Sequence, residues 1–526
     1  MKINLGCGTD LRPGWINVDI RGDVGADVVW DITSGLPFAN NRAETVVAQD
    51  VLEHLTTQQQ QRVLAEIWRV LRRGGKLSVR LPNIGAIISR FAADAETRNL
   101  FLYGDTSQSG AWGAHKSGHT LKSFATLARM VGLRLVRADE VDSNYVFEFC
   151  KSSPIDRPGQ IGFINQSLGL GGAETFNQGL LQWWEKQGTK VEAWVTHSQF
   201  AAALTGRVSR VHRLPVVLDV IGDWKGLVKA AVLAPWGIAA YAVIAWRCRS
   251  KDLILMTGFI EKILVTPWAR LWNIPVVWVE FGPLTTIFAR FGGLPKLWYR
   301  LVSKLADAVV MPSIHTSSAN LALGRIPASQ ARLIPCGVTV QPRRVRHNPN
   351  LVVCVSRLEK GKGQDLLLTA WPKVLRQVPE ANLRIVGEGD QYQNLKLEIR
   401  NLKLESSVTL TGWVEDAIAE MARAWVCVFP SSWPLEGFGL VMVEAMALNK
   451  PVVAFDIGPA REILDKTCGV LVPEGDIAAL AEAIISQLRR PATGGRQKYL
   501  RYYTLPKVGQ QYDQIFRYVM AAHQAV

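Results

Sequence analysis

Pro430-Ser-Ser-Trp-Pro-Leu-Glu-Gly-Phe-Gly-Leu-Val-Met-Val-Glu-Ala-Met446 decides the fold. The apolar run Ala424-Trp-Val-Cys-Val-Phe429 leads into it and reads as a buried strand. Pro430 and the two serines break that strand. Glu436-Gly-Phe-Gly439 turns tightly, and Leu440 to Leu448 has helical composition. Glu436 is therefore expected in a loop beyond a strand's carboxyl end, with Glu444 about two turns inside the following helix. In open α/β sheets that crevice is where ligands bind. Glycines admit close backbone approach, and the free N–H groups of a helix start favour phosphate.

The stretches upstream repeat the unit. Val352-Val-Cys-Val-Ser-Arg357 is a strand ending in polar residues, followed by Lys362-Gly363. Arg357 and Lys362 suit a diphosphate, one as a planar fork and the other as a point charge. Leu383-Arg-Ile-Val-Gly-Glu-Gly-Asp390 is another strand with a Gly-x-Gly exit, and Val408-Thr-Leu-Thr-Gly-Trp413 repeats the pattern. Strands alternating with helices mean a parallel sheet covered on both faces. The bland alternative is an ordinary strand–turn–helix unit with two surface glutamates.

On these motifs, residues 351–475 resemble the nucleotide-sugar domain of family 4 glycosyltransferases, which place two Rossmann-like domains across a cleft (the GT-B fold). The family's two glutamates seven residues apart are matched by Glu436 and Glu444, and its Arg-x4-Lys by Arg357 and Lys362. The resemblance implies that Arg357 and Lys362 hold the donor pyrophosphate and that Glu436 meets the donor sugar. The backbone of Gly437, Phe438 and Gly439 would meet the phosphates, and Glu444 the ribose hydroxyls. Glu388 and Val414, at neighbouring strand exits, complete the expected donor-binding set.

Composition bounds the rest. At 526 residues the chain is too long for one core. A net charge of +15 favours anionic partners such as nucleotide sugars, phosphorylated lipids or a membrane surface. No reading motif or basic-aromatic stripe supports nucleic acid. The seven cysteines are single and odd in number, with no Cys-x-x-Cys pair. Neither a disulfide framework nor a zinc site is indicated, and a reducing cytoplasm is expected. The chain opens directly on a strand, without a secretory pattern.

Residues 1–152 form a separate α/β series. Leu5-Gly-Cys-Gly8 ends the first strand, and Trp15–Asp19, Ala26–Asp31 and Thr45–Asp50 each end in an acid. Helix 58–71, a stop at Gly74-Gly75 and strand 76–81 follow. A glycine turn lets a nucleoside approach, and an acid closing the next strand accepts from ribose hydroxyls. With Val-Leu-Glu-His-Leu55, the series resembles class I S-adenosylmethionine-dependent methyltransferases. The resemblance implies Gly6 and Gly8 beside the methionine moiety, Asp19 on the ribose, Asp31 on the adenine side and Asp50 lining the pocket. Only ten residues separate Gly8 from Asp19, so the first crossover helix must be short or absent. His119, in the loop His115-Lys-Ser-Gly-His119, is a candidate general base, with loop ordering as the alternative. No metal-ligand spacing surrounds it.

After a linker at 153–159, strand 160–165 and Gly169-Leu-Gly-Gly-Ala-Glu174 resemble the family's glycine-rich loop, with Gly171 and Gly172 approaching the donor phosphates from the opposite domain. Leu227–Trp246 is the most apolar stretch, flanked by basic residues and tryptophans over 225–251. An interfacial helix touching a membrane and a buried helix fit it equally, since a span needs about 20 apolar residues. Glu280 ends strand 275–280 where the family often has a histidine beside the acceptor, and is a candidate for holding or deprotonating it, with acceptance of loop N–H bonds as the alternative. Residues 343–350 read as a basic hinge and 498–523 as one helix.

The expectation is three Rossmann-like α/β domains: a class I methyltransferase-like fold at 1–152, then a GT-B pair at 160–345 and 346–490, with 491–526 returning to the acceptor domain. A bifunctional enzyme follows: a retaining glycosyltransferase using a nucleotide-diphosphate sugar on a cell-surface glycan or lipid-linked acceptor, plus a methyltransferase using S-adenosyl-L-methionine. It is expected in the cytoplasm, peripheral to the inner face of the membrane. Arg357 and Lys362 supply positive charge for the departing diphosphate, so no metal is required. The alternatives are a non-catalytic first domain and a scaffold without transfer activity.

Overall fold

The computed structural model describes residues 1–104, 114–167, 169, 171–214, 224–341, 345 and 347–524, with the side chains of 224–232 left out. The chain forms two compact units, Met1–Arg157 with Gln514–Val526, and Pro158–Asp513. Three mostly parallel α/β sheets carry it.

The first unit holds β1 (Lys2–Leu5), β2 (Ile16–Asp19), β3 (Val28–Val29), β4 (Ala43–Gln49), β5 (Leu71–Pro82), β6 (Leu133–Val141) and β7 (Asn144–Lys151). Their order is β3-β2-β1-β4-β5-β7-β6, with β7 antiparallel to both neighbours. Helix Thr57–Val70 starts in a capping box between Thr56 and Gln59 and buries Val63, Leu64, Ile67 and Val70 on one face. It runs straight into β5. Gly74-Gly75, expected to stop the helix, instead bulges the strand, since Ala43 pairs Leu71 but Thr45 pairs Lys76. Leu71 is fully buried and anchors the strand before the bulge. No helix joins β1 to β2, as the ten-residue interval requires.

The second unit holds two parallel sheets. One is built of β8 (Gln160–Asn165), β9 (Lys190–Val195), β10 (Arg210–Arg213), β11 (Leu253–Met256), β12 (Val276–Val279), β13 (Ala308–Met311) and β14 (Ala331–Leu333). The other has β15 (Leu351–Val355), β16 (Asn382–Val386), β17 (Val408–Gly412), β18 (Val426–Phe429), β19 (Val452–Phe455) and β20 (Gly469–Val472). Their orders are β10-β9-β8-β11-β12-β13-β14 and β17-β16-β15-β18-β19-β20. Strand order therefore reverses between β1 and β4, between β8 and β11, and between β15 and β18. In open α/β sheets such a reversal opens a crevice at the carboxyl ends of the two strands.

The single helix expected over 498–523 is two, Gly495–Tyr502 and Leu505–Gln524. The break at Tyr503-Thr504 pairs with Val338, whose N–H donates to the Tyr503 carbonyl at 3.0 Å. Along the second helix Asp513 accepts from Trp184 Nε1 at 3.0 Å. From Gln514 on, the helix belongs to the first unit, with Met520 and Ala521 beside Met130 and Ile155. Residues 343, 344 and 346 of the basic hinge at 343–350 lie outside the described residues.

Helix Trp224–Arg247 contains Pro235. It buries Tyr241, Ile244 and Ala245 but exposes Trp236 (73%), Val243 and Trp246, at spacings that share the opposite face. Among the described residues, no helix is long and apolar enough to cross a membrane.

Helix Leu440–Ala447 follows β18, so Glu444 is its fifth residue, a little over one turn in rather than two. Burial raises the Glu444 carboxyl from 4.5 to about 7. The folded chain thus keeps a proton that the unfolded chain has lost between those values, and stability contributed at this position falls as pH rises from about 4.5 to about 7. At 1.36 kcal/mol per unit the loss is on the order of 3 kcal/mol. Urea unfolding at pH 5 and pH 7.5 should show a smaller stability decrease in Glu444→Gln than in the parent. Equal decreases would place the titration elsewhere.

Candidate functional site

The reversal between β15 and β18 brings two loops together. The loop after β15 carries Arg357 and Lys362, and the loop after β18 carries Glu436. Gln364 holds the first loop, its Nε2 donating to Ser356 Oγ at 2.6 Å and to the Arg357 carbonyl at 2.9 Å. Gly363 has φ +76°, and a Cβ there would lie 1.8 Å from the Pro430 carbonyl oxygen, so only glycine lets the loops nest. Lys362 Nζ then reaches Glu436 Oε2 at 2.7 Å, both side chains being largely buried. The ammonium also sits 5.5 Å from the Trp433 ring. Arg357 is mostly exposed and pairs with Glu359 at 2.7 Å.

Gly437 meets the other sheet. A Cβ on it would fall 1.6 Å from the Phe281 carbonyl oxygen. Its own carbonyl accepts from Ser313 Oγ at 2.7 Å and Thr316 Oγ1 at 3.2 Å. Glu462 accepts from the N–H groups of Ile314 and His315 at 2.7 and 2.9 Å, closing the start of helix Ile314–Gly324. From the β8 side, Gly171 donates to Glu174 Oε2 at 2.9 Å, and Gly172 backs onto Leu440.

A cavity of about 430 Å³ lies between the two sheets, at the meeting of these loops. Of the expected residues it brings together Gly171, Gly172, Arg357, Lys362, Glu436, Gly437, Phe438 and Gly439. Glu388, Val414 and Glu444 do not line it. Glu388 and Val414 follow β16 and β17, farther along the same sheet edge. Sequence reading assigned no site role to Ser167, Glu174, Phe281, Cys336 or Trp433, which also form the wall.

Glu280 requires correction as a group facing the acceptor. Its carboxylate is 3% exposed, lies 2.7 Å from Lys262 Nζ and accepts from the Tyr299 hydroxyl at 2.9 Å. It does not line the cavity, although its neighbour Phe281 does. A strand-end acid with a buried lysine and tyrosine beside it is drawn into the core, where it pairs the lysine charge and accepts the tyrosine hydroxyl's hydrogen bond.

In the first unit, a cavity of about 220 Å³ lies at the β1/β4 reversal. Gly6, Gly8, Asp19, Asp31 and Asp50 all line it, joined by Arg21, Trp30, Val51 and His54. Asp19 accepts from the N–H groups of Gly8 (2.8 Å) and Arg21 (3.0 Å). Asp31 caps the turn Ile32–Ser34 through Thr33. Asp50 pairs with Arg80, Nε to Oδ1 at 2.8 Å. Each carboxylate keeps further lone pairs, so glycine turns and acids of this set fit a nucleoside-bearing methyl donor.

His119 stands apart from that cavity. Its Nε2 meets Gln60 Oε1 at 2.7 Å and its Nδ1 meets Ser123 Oγ at 3.2 Å, so both ring nitrogens order the loop. The expectation of no metal-ligand grouping around this loop also needs revision. Glu53, His54 and His115 place one ligand atom each within 4.8 Å of one another. Sixty residues of sequence separate the two halves of that group.

Comparison with known proteins bears on both units. Residues 339–504 match the glycosyl transferases group 1 family, and residues 5–79 match a methyltransferase domain family. The poly(glycerol-phosphate) alpha-glucosyltransferase of Bacillus subtilis is 33% identical over 143 residues, covering 27% of this chain and 21% of that protein. The GDP-mannose-dependent alpha-(1-6)-phosphatidylinositol monomannoside mannosyltransferase of Mycolicibacterium smegmatis is 32% identical over 213 residues, covering 36% and 56%. The chain thus spans about a fifth to just over half of these relatives' lengths. Among solved structures, HepE of Anabaena in complex with UDP superposes with a TM-score of 0.57 at 21% identity, over 68% of this chain and 98% of that one. Sucrose-phosphate synthase of Thermosynechococcus elongatus gives 0.55 at 22% identity with the same coverage. The chain therefore carries a segment matching a methyltransferase domain family ahead of one matching the glycosyl transferases group 1 family, and its second unit has the GT-B fold.

Proposed function

We propose that the second unit transfers a sugar, with retention, from a nucleotide-diphosphate donor to a glycan or lipid-linked acceptor. The convergence of Arg357, Lys362 and Glu436 on one cavity carries this reading. In it, Arg357 and Lys362 bind the diphosphate and stabilise the charge that develops as it departs. The Gly437–Gly439 backbone approaches the phosphates, Glu436 holds the donor sugar, and Gly171 and Gly172 close the opposite wall. Glu388, Val414 and Glu444 serve the nucleoside end beyond the enclosed part of the cavity. Relatives named for UDP-, GDP-mannose- and phosphatidylinositol-linked chemistry support the substrate class. Purified protein with a panel of UDP- and GDP-sugars should release nucleotide diphosphate. Arg357→Ala and Lys362→Ala should each lower kcat/KM by about 10²–10³, the scale for losing one preorganised charge donor. Parent-level turnover in both variants would defeat the assignment.

The same reading gives the first unit an S-adenosyl-L-methionine site at Gly6, Gly8, Asp19, Asp31 and Asp50. Their common cavity supports it, and a non-catalytic docking or regulatory module is the alternative. Calorimetry should show S-adenosyl-L-methionine binding that Asp19→Ala weakens by at least tenfold. No heat with the parent protein would favour the docking module.

Trp236, Val243 and Trp246 form an exposed apolar face, with the Arg249 guanidinium 3.8 Å from the Trp246 ring. Tryptophan and arginine suit the headgroup level, which supports peripheral contact with an anionic membrane. Vesicles containing anionic lipid should sediment the protein, and Trp236→Glu with Trp246→Glu should leave it in the supernatant. Equal sedimentation of parent and double variant would remove this face from consideration.

A further inference from the structure

The segment Leu52–His54 forms a short 3-10 turn after β4, beside the first unit's cavity. A distant loop is fastened to it. The N–H groups of Lys116 and Ser117 donate to the Glu53 carbonyl at 2.8 and 3.2 Å. Gln60 Nε2 donates to the Leu52 carbonyl and to Ser117 Oγ, both at 2.6 Å, and its Oε1 meets His119. This zipper fixes His115 against His54, their rings 5.0 Å apart and edge to face.

Three features of the cluster point to a cation. Glu53 is 3% exposed, and its Oε2 has no hydrogen-bonding partner. A buried carboxylate oxygen left unpaired is costly, and an ion beside it removes that cost. His54 Nδ1 lies 3.1 Å from the Ala114 carbonyl, an acceptor that holds the proton on Nδ1 and leaves Nε2 with a free lone pair. His115 brings a ring nitrogen within 4.8 Å of the ligand atoms of Glu53 and His54. A ring N–H tied to a backbone carbonyl is the usual support for a metal-ligating histidine.

We propose that Glu53, His54 and His115 bind one divalent transition-metal ion of the zinc class. Two imidazoles and one carboxylate are a known three-ligand set that leaves a coordination position open. Tetrahedral bonds of about 2.0–2.2 Å set donors about 3.4 Å apart, so the three atoms, now within 4.8 Å, close in by small side-chain rotations. Asp50 stands nearby, its carboxylate paired with Arg80. His54 also lines the cavity assigned above to the methyl donor, so an oxygen on the open position, from water or an acceptor hydroxyl, faces that cavity. That orientation of the acceptor rests on the methyltransferase reading, whereas binding of the ion does not.

The test uses the full chain, stripped with a chelator and titrated with Co²⁺ in the absence of any methyl donor. Visible absorption should report one equivalent bound, displaced by one equivalent of Zn²⁺. Glu53→Gln and His115→Ala should each weaken binding at least tenfold, with circular dichroism confirming that both variants fold. His212→Ala, in the other unit, should retain the full equivalent. Absence of stoichiometric Co²⁺ uptake by the parent, or undiminished uptake by folded Glu53→Gln and His115→Ala, would overturn the site. Either result leaves S-adenosyl-L-methionine binding by calorimetry as a separate question.

Discussion

A lysine and a glutamate 74 residues apart set the geometry of the second unit. Lys362 and Glu436 touch only because β15 and β18 are neighbours across the point where strand order reverses. Both side chains are largely withdrawn from water, so neither charge is tolerable without the other. The residue after the glutamate, Gly437, passes its carbonyl to Ser313 and Thr316 at the start of the helix that follows β13 of the facing sheet. One ion pair thereby registers two loops, and the next peptide registers two sheets. In the proposed reaction an entering diphosphate competes with Glu436 for the lysine. The carboxylate is then freed for the sugar hydroxyls at the moment the cation turns to phosphate. The wall is thus preorganised in charge as well as in shape, and donor binding exchanges partners rather than exposing a bare ion.

The three strand-order reversals share one logic. Each places the loop of the first strand of its sheet beside a loop from the strand across the crevice. Gly6 and Gly8 leave β1 opposite Asp50 after β4. Gly171 and Gly172 leave β8. Arg357 and Lys362 leave β15 opposite Glu436 after β18. Those residues were legible in the sequence because the rule links strand, turn and helix within about thirty residues, where hydrophobic runs and glycines mark each boundary. The fold class was legible for the same reason. Boundaries were less so. Gly74-Gly75 ends helices in most contexts, but here the burial of Leu71 makes it a bulge within β5. The last helix breaks at Thr504 because the backbone there pairs with Val338, a contact no local pattern encodes.

Side-chain roles set by distant partners were the hardest to read. Glu280 ends a strand at the crevice edge, and its position alone suggests chemistry. Lys262 and Tyr299, neither adjacent in sequence, turn it inward. His119 looked available in a polar loop, yet Gln60 and Ser123 occupy both of its nitrogens. The opposite error concerns Glu53. It sits in a familiar Val-Leu-Glu-His run and drew no separate interest, while its buried oxygen is left without a partner.

That contrast orders the first unit's chemistry. Asp19, Asp31 and Asp50 already accept from Gly8, Thr33 and Arg80, so each carboxylate has a donor before any ligand enters. In the proposed methyl-donor site such groups would hold a nucleoside through spare lone pairs, without demanding a cation. Glu53 differs, because its buried Oε2 has no hydrogen-bonding partner and desolvation pushes its carboxyl up to about 8. The neutral state this favours is a poor ligand, and the two histidines, also discharged by burial, are good ones. An ion entering the cluster displaces the carboxyl proton and gains the buried carboxylate in one step, so proton and metal compete for the same oxygen. The loop that carries His115 is pinned through the Glu53 backbone. The same short turn therefore supplies two donors directly and positions the third.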